Sequence, residues 1–167
     1  MYDLTIYLLS SFTISFIWFF LKKKSFSSFF LCLYHILFGG VYLLYTINHS
    51  SDAIEYFDLG NLSYCSFTDN SNRFDISNPY IMFCTSGILK KVLNNYGFVS
   101  GIFSFLGFLG LDYFYRLAIK LINTNGYEKI LVNILFFLPS ISFWTSGISK
   151  DTLIIFAYSL IFQFASS

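Results

Sequence analysis

Charged residues are scarce in this chain. Only 11% of its 167 residues are Asp, Glu, Lys or Arg, whereas 56% are hydrophobic. A water-soluble domain has about 25% charged residues, so too few are present here to cover a surface that faces water. The scarcity excludes an ordinary soluble domain and indicates an integral membrane protein, whose outer surface meets lipid.

The chain also lacks the marks of a nucleic-acid-binding or zinc protein. Its net charge is +1 and its basic residues form no stripe, so we expect no nucleic-acid partner. No Cys-x-x-Cys pair or His–Cys cluster occurs, and His35 and His49 are isolated, so we assign them no metal. Cys65 and Cys84 share the one long polar stretch. They are either two free thiols, the simpler expectation, or a disulfide in an oxidising compartment.

Five apolar runs dominate the rest of the chain, at about residues 4–21, 26–46, 97–118, 130–147 and 152–165. The first has no basic residue before it and no small-x-small cleavage site after it, so it is a retained span rather than a signal peptide. Each run is near the roughly 20 residues that cross a bilayer as a helix, although the last two are shorter. We therefore predict an all-α, polytopic transmembrane protein with about five spans, forming a single domain over residues 1–167.

Basic residues predict the orientation of these spans. The lysines at positions 22–24 separate the first two runs, and Arg116, Lys120 and Lys129 surround the link between the third and fourth. The positive-inside rule makes both links cytoplasmic. The extracytoplasmic loop is then residues 47–96, with two helix-compatible parts, "SDAIEYFDLG" and the amphipathic "YIMFCTSGILKKVLNNY". Between them, "CSFTDNSNRFDISNPY" is typical of irregular structure.

Small residues mark the third run. They recur at spacings of three and four along one helical face: Gly97, Gly101, Ser104 and Gly107. Such a face lets a neighbouring helix approach closely. Asp112 and Arg116 are four apart near the inner end and can pair. We assign packing and anchoring, rather than chemistry, to all of these residues.

The first candidate site is the acidic segment "SSDAIEYFD". On a helix, Asp52, Glu55 and Tyr56 lie near one face. Two carboxylates can hold a divalent cation, or one can act as a general base if burial favours its protonated form. The alternative is a plain helix start, in which Asp52 caps the helix and Glu55 lies in its first turn.

The second candidate is "FWTSGISKD", at residues 143–151. Pro139 is expected to kink the fourth run, and Trp144 to lie at the outer interface. Gly147, with the preceding serine, is expected to end the helix and let the backbone reverse. Either Asp151 or Ser149 then caps the fifth span.

Lys150 is the residue of this turn that could bind a charged ligand. Together with the first amides of the fifth span, Lys150 offers positive potential to an anionic headgroup such as a lipid-linked diphosphate. The alternative is a lysine that anchors the helix by snorkelling into the headgroup layer.

The two candidate motifs resemble segments of one group of proteins. "LPSISFWTSGISKD" is similar to the pattern P-S-x-x-F-W-x-S-G-x-x-K-[DE] of bacterial multi-pass membrane proteins that make surface polysaccharides. "SDAIEYFDLG" is similar to the D-x-x-x-Y segment that follows an early span in the same proteins. The group includes O-antigen and capsule polymerase-like proteins, and membrane-embedded glycosyltransferases that use lipid-linked sugars.

The resemblance implies glycosyl transfer or polymerisation at the outer face of the bacterial inner membrane, with a polyprenyl-phosphate-linked sugar as substrate. It implies catalytic roles for Asp52 and Glu55. The residues implied to bind substrate are Tyr56, Trp144, Lys150 and Asp151. The resemblance does not specify a cofactor, and a divalent cation is one candidate.

Three further expectations remain beside this reading. Family members are longer, so the chain is expected to be the N-terminal part of a larger protein. One alternative function is a flippase or transporter piece in the same pathway, with the kinked fourth span and glycine-rich third span as moving parts. The other is a non-catalytic, truncated membrane remnant.

Overall fold

A computed structural model describes residues 2–22, 26–49, 51–61, 80–122 and 126–165. All regular secondary structure in these ranges is α-helical, which confirms the predicted all-α class for them. The helices, in chain order, are α1 (Tyr2–Lys22), α2 (Phe26–Asn48), α3 (Asp52–Asp58), α4 (Tyr80–Leu93), α5 (Tyr96–Ile122), α6 (Tyr127–Phe136), α7 (Pro139–Trp144) and α8 (Lys150–Ala165).

Three of the described helices, α1, α2 and α5, are long and apolar enough to cross a membrane. The other two apolar runs form shorter elements. The fourth is divided into α6, with 10 residues, and α7, with 6, and the fifth forms α8, with 16. The helical, membrane-compatible character is therefore confirmed, whereas the count of about five spans is not.

Pro139 breaks the fourth run. It occupies the start of α7, and Leu138 before it is extended, with φ −66° and ψ 127°. Proline has no amide hydrogen to donate, and its ring disfavours a helical conformation in the preceding residue. The expected kink is thus a complete interruption, with residues 137 and 138 outside both helices.

The small residues of α5 carry its contact with α1. A Cβ atom added at Gly97 would lie 2.1 Å from the carbonyl oxygen of Asp3, and one added at Gly101 would lie 2.4 Å from Ser10 Oγ. The predicted close approach is therefore confirmed. An early residue of α1 faces an early residue of α5, and a later residue of α1 faces a later residue of α5. The two helices therefore run in the same direction.

Helix α2 runs in the opposite direction and packs against both of them. Near its end, Thr46 Oγ1 lies 2.9 Å from the Tyr96 hydroxyl at the start of α5. Near its beginning, Ser28 donates a 2.5 Å hydrogen bond to the buried Asp112 carboxylate. Arg116 Nε lies 3.1 Å from the same carboxylate, which confirms the predicted ion pair. We call the end of the bundle that holds Thr46 and Tyr96 the outer end, because α3 and α4 follow there.

Helices α3 and α4 pack together at the outer end. The Ser86 hydroxyl donates a hydrogen bond to the carbonyl oxygen of Tyr56. A Cβ atom added at Gly60 would lie 2.9 Å from the backbone nitrogen of Gly87, so the two backbones touch. Both predicted helices of the loop are thus confirmed, whereas residues 65–79 of the segment predicted to be irregular, residues 65–80, lie outside the described residues.

Cys84 on α4 is disulfide-bonded. The expectation of two free thiols is therefore wrong for this residue, and Cys65, the other cysteine of the polar stretch, lies outside the described residues. Disulfides persist in oxidising compartments. The orientation of α3 and α4 relative to the membrane stays a prediction.

Candidate functional site

A cavity of about 390 Å³ opens at the outer end of the bundle, and we call it the outer cavity. Its wall includes Asp52 and Tyr56 from α3, and Trp144, Lys150 and Asp151 from the second motif. The two motifs are far apart in the sequence, yet five of the six predicted site residues line this one space. Glu55, the sixth, does not.

Glu55 faces a second depression, of about 400 Å³, together with Ser51, Asp52 and Ile54. Each residue of an α-helix is rotated by about 100° from the one before it. Because Tyr56 is buried against the bundle, this rotation turns Glu55 away from the outer cavity. Asp52 borders both spaces, so it is the acidic residue of α3 that can act on a ligand in the outer cavity.

Two carboxylates, from Asp52 and Asp151, belong to the outer cavity. Both act electrostatically on the hydroxyl group of Tyr42, which lines the same space. Among the described residues, no group of three or more His, Cys, Asp or Glu side chains could hold a metal ion. A divalent cation here would therefore need ligand oxygens in addition to these two, such as those of a phosphate.

Tyr56 anchors α3 beside the cavity. Its ring is buried and packs edge to face on Phe83 of α4, with 5.2 Å between ring centroids. Burial, followed by the nearby carboxylates of Asp52 and Glu55, raises the pKa of Tyr56 above its ordinary value. A tyrosine hydroxyl carries its proton at neutral pH even without such a shift, so this one can donate a hydrogen bond.

The turn between α7 and α8 is buried inside the bundle. Helix α7 ends at Trp144, and residues 145–148 after it are all buried. Ile148 has no exposed surface and packs into an apolar cluster that contains Val99 and Phe103 of α5. Thr145 donates a 2.7 Å hydrogen bond to the carbonyl oxygen of Ile141. These contacts fix the position from which Lys150 and Asp151 reach the outer cavity.

Gly147 has a different role from the predicted one. It lies in the turn between α7 and α8 but has no positive φ, so the turn does not use the left-handed conformation that favours glycine. The expectation that it ends the helix is wrong, because α7 ends at Trp144. Instead, a Cβ atom added at Gly147 would lie 1.9 Å from Cε1 of Tyr42. The glycine is needed because the Tyr42 ring packs directly on this backbone.

Ser149 caps α8. Its hydroxyl oxygen accepts a 3.2 Å hydrogen bond from the amide of Thr152 and donates a 2.8 Å bond to the carbonyl oxygen of Trp144. Thr152 Oγ1 donates a 2.8 Å bond to the carbonyl oxygen of Gly147. Asp151 is an exposed residue of the first turn, so the Ser149 alternative is confirmed and the Asp151 cap is wrong.

Part of the cavity wall was not predicted. Tyr42, Tyr45 and Thr46 of α2 line it, and so does Ser51. Tyr42 also packs on Phe143, with 5.2 Å between ring centroids. The sequence could have indicated the three residues of α2, because they are aromatic or hydroxyl residues spaced three and four apart at the outer end of an apolar run.

No protein-family model, curated protein or solved structure matches the chain. The resemblance of the two motifs to polysaccharide-synthesis proteins therefore stays a prediction. Any function assigned to the outer cavity rests on its geometry and on the chemistry of its wall.

Replacing Gly147 by Ala is expected to destabilise the fold, because the new methyl group would overlap the buried Tyr42 ring. Overpacking of this kind typically costs about 1–3 kcal/mol. Thermal unfolding in detergent measures the effect. Gly40→Ala is the matched control, since a Cβ atom there would lie 3.7 Å from the nearest side-chain atom, in ordinary contact. Equal stability of Gly147→Ala and the unchanged chain would contradict the packing of Tyr42 on this turn.

Proposed function

We propose that the outer cavity binds the headgroup of a lipid-linked sugar, and that the protein takes part in membrane-embedded glycosyl transfer or polymerisation of bacterial surface polysaccharide. The observation that carries the proposal is the meeting of the two motifs at one cavity. Asp52 and Tyr56 come from one motif, and Trp144 and Lys150 from the other. Packing alone does not require a carboxylate, a lysine and aromatic rings from distant segments in the same wall.

Lys150 and the start of α8 form the proposed phosphate end of the site. Lys150 supplies a positive charge, and the start of α8 adds the partial positive charge of a helix N-terminus. Asp52 and Asp151 would repel a bare phosphate. A divalent cation that bridges these carboxylates and the phosphate oxygens would remove the repulsion, and Mg²⁺ commonly binds to one or two carboxylates plus substrate phosphates.

Aromatic side chains form the proposed sugar end. Trp144 has 51% of its surface exposed and Tyr45 has 44%, and both line the outer cavity. Such rings combine an apolar face with a polar tip, which suits a ligand that is apolar on its ring faces and polar at its edges. Asp52 is the side chain that would accept a proton from an attacking sugar hydroxyl.

Binding of a polyprenyl-diphosphate analogue tests this proposal. The purified chain in nanodiscs should bind the analogue saturably, and removal of divalent cations with EDTA should weaken binding at least tenfold, because the carboxylates then face the phosphates directly. Empty nanodiscs and a polyprenol without phosphate are the controls. Binding no greater than that of the phosphate-free polyprenol would contradict a headgroup site.

The transporter alternative has one structural observation in its favour. The fourth apolar run is interrupted by residues 137 and 138, and its second half leads into the buried turn beside the outer cavity. Interrupted helices whose ends meet at a binding site are typical of secondary transporters. Movement of a labelled lipid-linked sugar across liposomes that contain the protein, with no acceptor present, would favour this second function.

A further inference from the structure

Asp112 and Arg116 form a charged pair at the end of the bundle opposite the outer cavity, which we call the inner end. Tyr96 starts α5 at the outer end, and Arg116 follows it by 20 residues. At 1.5 Å per residue this distance is about 30 Å, which matches the thickness of the hydrocarbon core of a bilayer. With Tyr96 at one membrane–water interface, Arg116 therefore lies at the level of the phospholipid headgroups of the other.

Asp112 holds the guanidinium group of Arg116 through one nitrogen. The Asp112 side chain is buried, and its carboxylate accepts a hydrogen bond from Ser28. Arg116 Nε donates a 3.3 Å hydrogen bond to the carbonyl oxygen of Asp112 and lies 3.1 Å from the carboxylate. A buried carboxylate is costly in a membrane-spanning bundle unless it is paired, and these contacts pair it. The position of the guanidinium group is thus fixed at Nε.

The two terminal nitrogens of Arg116 remain for a ligand. A guanidinium group has five N–H donors in one plane, and four of them are on the terminal nitrogens. Neither terminal nitrogen makes a hydrogen bond to the residues that the structure describes, and the side chain is 46% exposed. Two parallel N–H groups of this kind match two oxygens of a phosphate, which is why arginine is well suited to bind phosphate groups.

Lys120 adds a second cation beside Arg116. It follows Arg116 by four residues, so the two side chains are neighbours on α5. Lys120 is exposed and makes no hydrogen bond or ion pair with the described part of the chain. Towards the middle of the bundle, the same face of α5 continues with Tyr113 and Leu109, which are both half-buried. This face therefore passes from a cationic part at headgroup level to a partly exposed, largely apolar part at the depth of the lipid chains.

We propose that this face of α5 binds one anionic phospholipid. The terminal nitrogens of Arg116 donate hydrogen bonds to the phosphate oxygens, Lys120 supplies a second positive charge, and an acyl chain lies along Tyr113 and Leu109. Asp112, Arg116 and Lys120 together carry a net charge of +1, which balances the single negative charge of a phosphodiester. A choline lipid gains less, because its own cation already cancels that charge. The site is separate from the outer cavity and does not depend on the function proposed there.

Titration of the detergent-purified chain with phosphatidylglycerol, followed by native mass spectrometry, tests the proposal. One lipid should bind saturably, and about tenfold more tightly than phosphatidylcholine with the same acyl chains, because only the anionic lipid balances the charge of the site. Glycerophosphoglycerol, which is the same headgroup without acyl chains, should not displace the lipid at equal concentration. Equal binding of the two lipids, or displacement by the free headgroup, would overturn a phospholipid site.

Two variants that keep the fold locate the site. Arg116→Lys retains a positive charge beside the buried Asp112 but removes the paired terminal nitrogens. Lys120→Gln removes an exposed charge that has no contact to lose in the described structure. Each should weaken binding of phosphatidylglycerol about tenfold, because each removes a hydrogen bond to a charged group or an ion pair. Thermal unfolding in detergent shows that both variants are folded.

Lys91→Gln is the control for general attraction between a basic protein and an anionic lipid, because Lys91 is exposed on α4, which packs at the outer end of the bundle. It should bind phosphatidylglycerol like the parent chain. A loss in Lys91→Gln as large as that in Lys120→Gln would overturn the proposal, since the charge would then act without a site. Unchanged affinity in either Arg116→Lys or Lys120→Gln would overturn it as well.

Discussion

Replacing Asp52 by Asn is expected to abolish polymer formation in cells whose surface polysaccharide depends on this protein, with a loss on the order of 100-fold or more. The amide keeps the shape of the side chain but can neither accept a proton as a base nor serve as an anionic ligand of a cation. Asp52 borders the outer cavity and is exposed, so the change leaves the folded core untouched. Polymer length and amount, measured at equal protein level, give the result.

Two matched variants on the same helix make this prediction specific. Asp58→Asn changes an exposed carboxylate at the end of α3, outside the residues that line the outer cavity. Glu55→Gln changes the carboxylate that faces the second depression. Both should retain most of the polymer. Normal polymer in Asp52→Asn would mean that the acidic segment is only the start of a surface helix.

Lys150→Gln is expected to lower affinity for a polyprenyl-diphosphate analogue by about 10- to 100-fold. Hydrogen bonds to charged groups contribute about 1.5–3 kcal/mol, and the variant removes the lysine charge from the cavity wall. Lys150→Arg should restore part of the affinity, because it keeps the charge but replaces a compact ammonium group with a planar guanidinium. Titration of purified protein in nanodiscs measures the three affinities.

Lys91→Gln is the control for a general loss of positive charge, because Lys91 is exposed on α4 and does not line the outer cavity. It should bind the analogue like the unchanged chain. The amount of membrane-inserted protein is measured for each variant, since a lysine that merely anchors the helix would alter insertion and leave affinity unchanged. Equal affinity of Lys150→Gln and the unchanged chain would mean that Lys150 only anchors the helix and does not bind the phosphate.

The membrane-helix character was predictable because it depends on local composition. Long apolar runs with few charges predict helices, since a helix satisfies its own backbone hydrogen bonds in lipid. Helices α1, α2 and α5 follow from this rule, and the small residues of α5 predicted its close packing. Pro139 also acted locally, although the break that it causes is larger than the predicted kink.

Details of the turn were not predictable in the same way. Gly147 suggested a special backbone conformation, but its actual requirement is the Tyr42 ring, which comes from a helix about a hundred residues earlier. Asp151 and Ser149 were both possible caps, and the hydrogen bond from the Thr152 amide to Ser149 distinguishes them. The disulfide at Cys84 likewise depends on which cysteine the fold brings close to it.

The sequence by itself determined that this is an α-helical protein suited to a membrane, and which polar segments interrupt its apolar runs. Only the tertiary structure decided that Asp52 and Lys150 share one cavity, that Glu55 faces another space, and that His35 is fully buried. The physical reason is the range of the interactions. Helix formation in lipid is fixed by neighbouring residues, whereas a cavity exists only where the packing of distant helices brings its walls together.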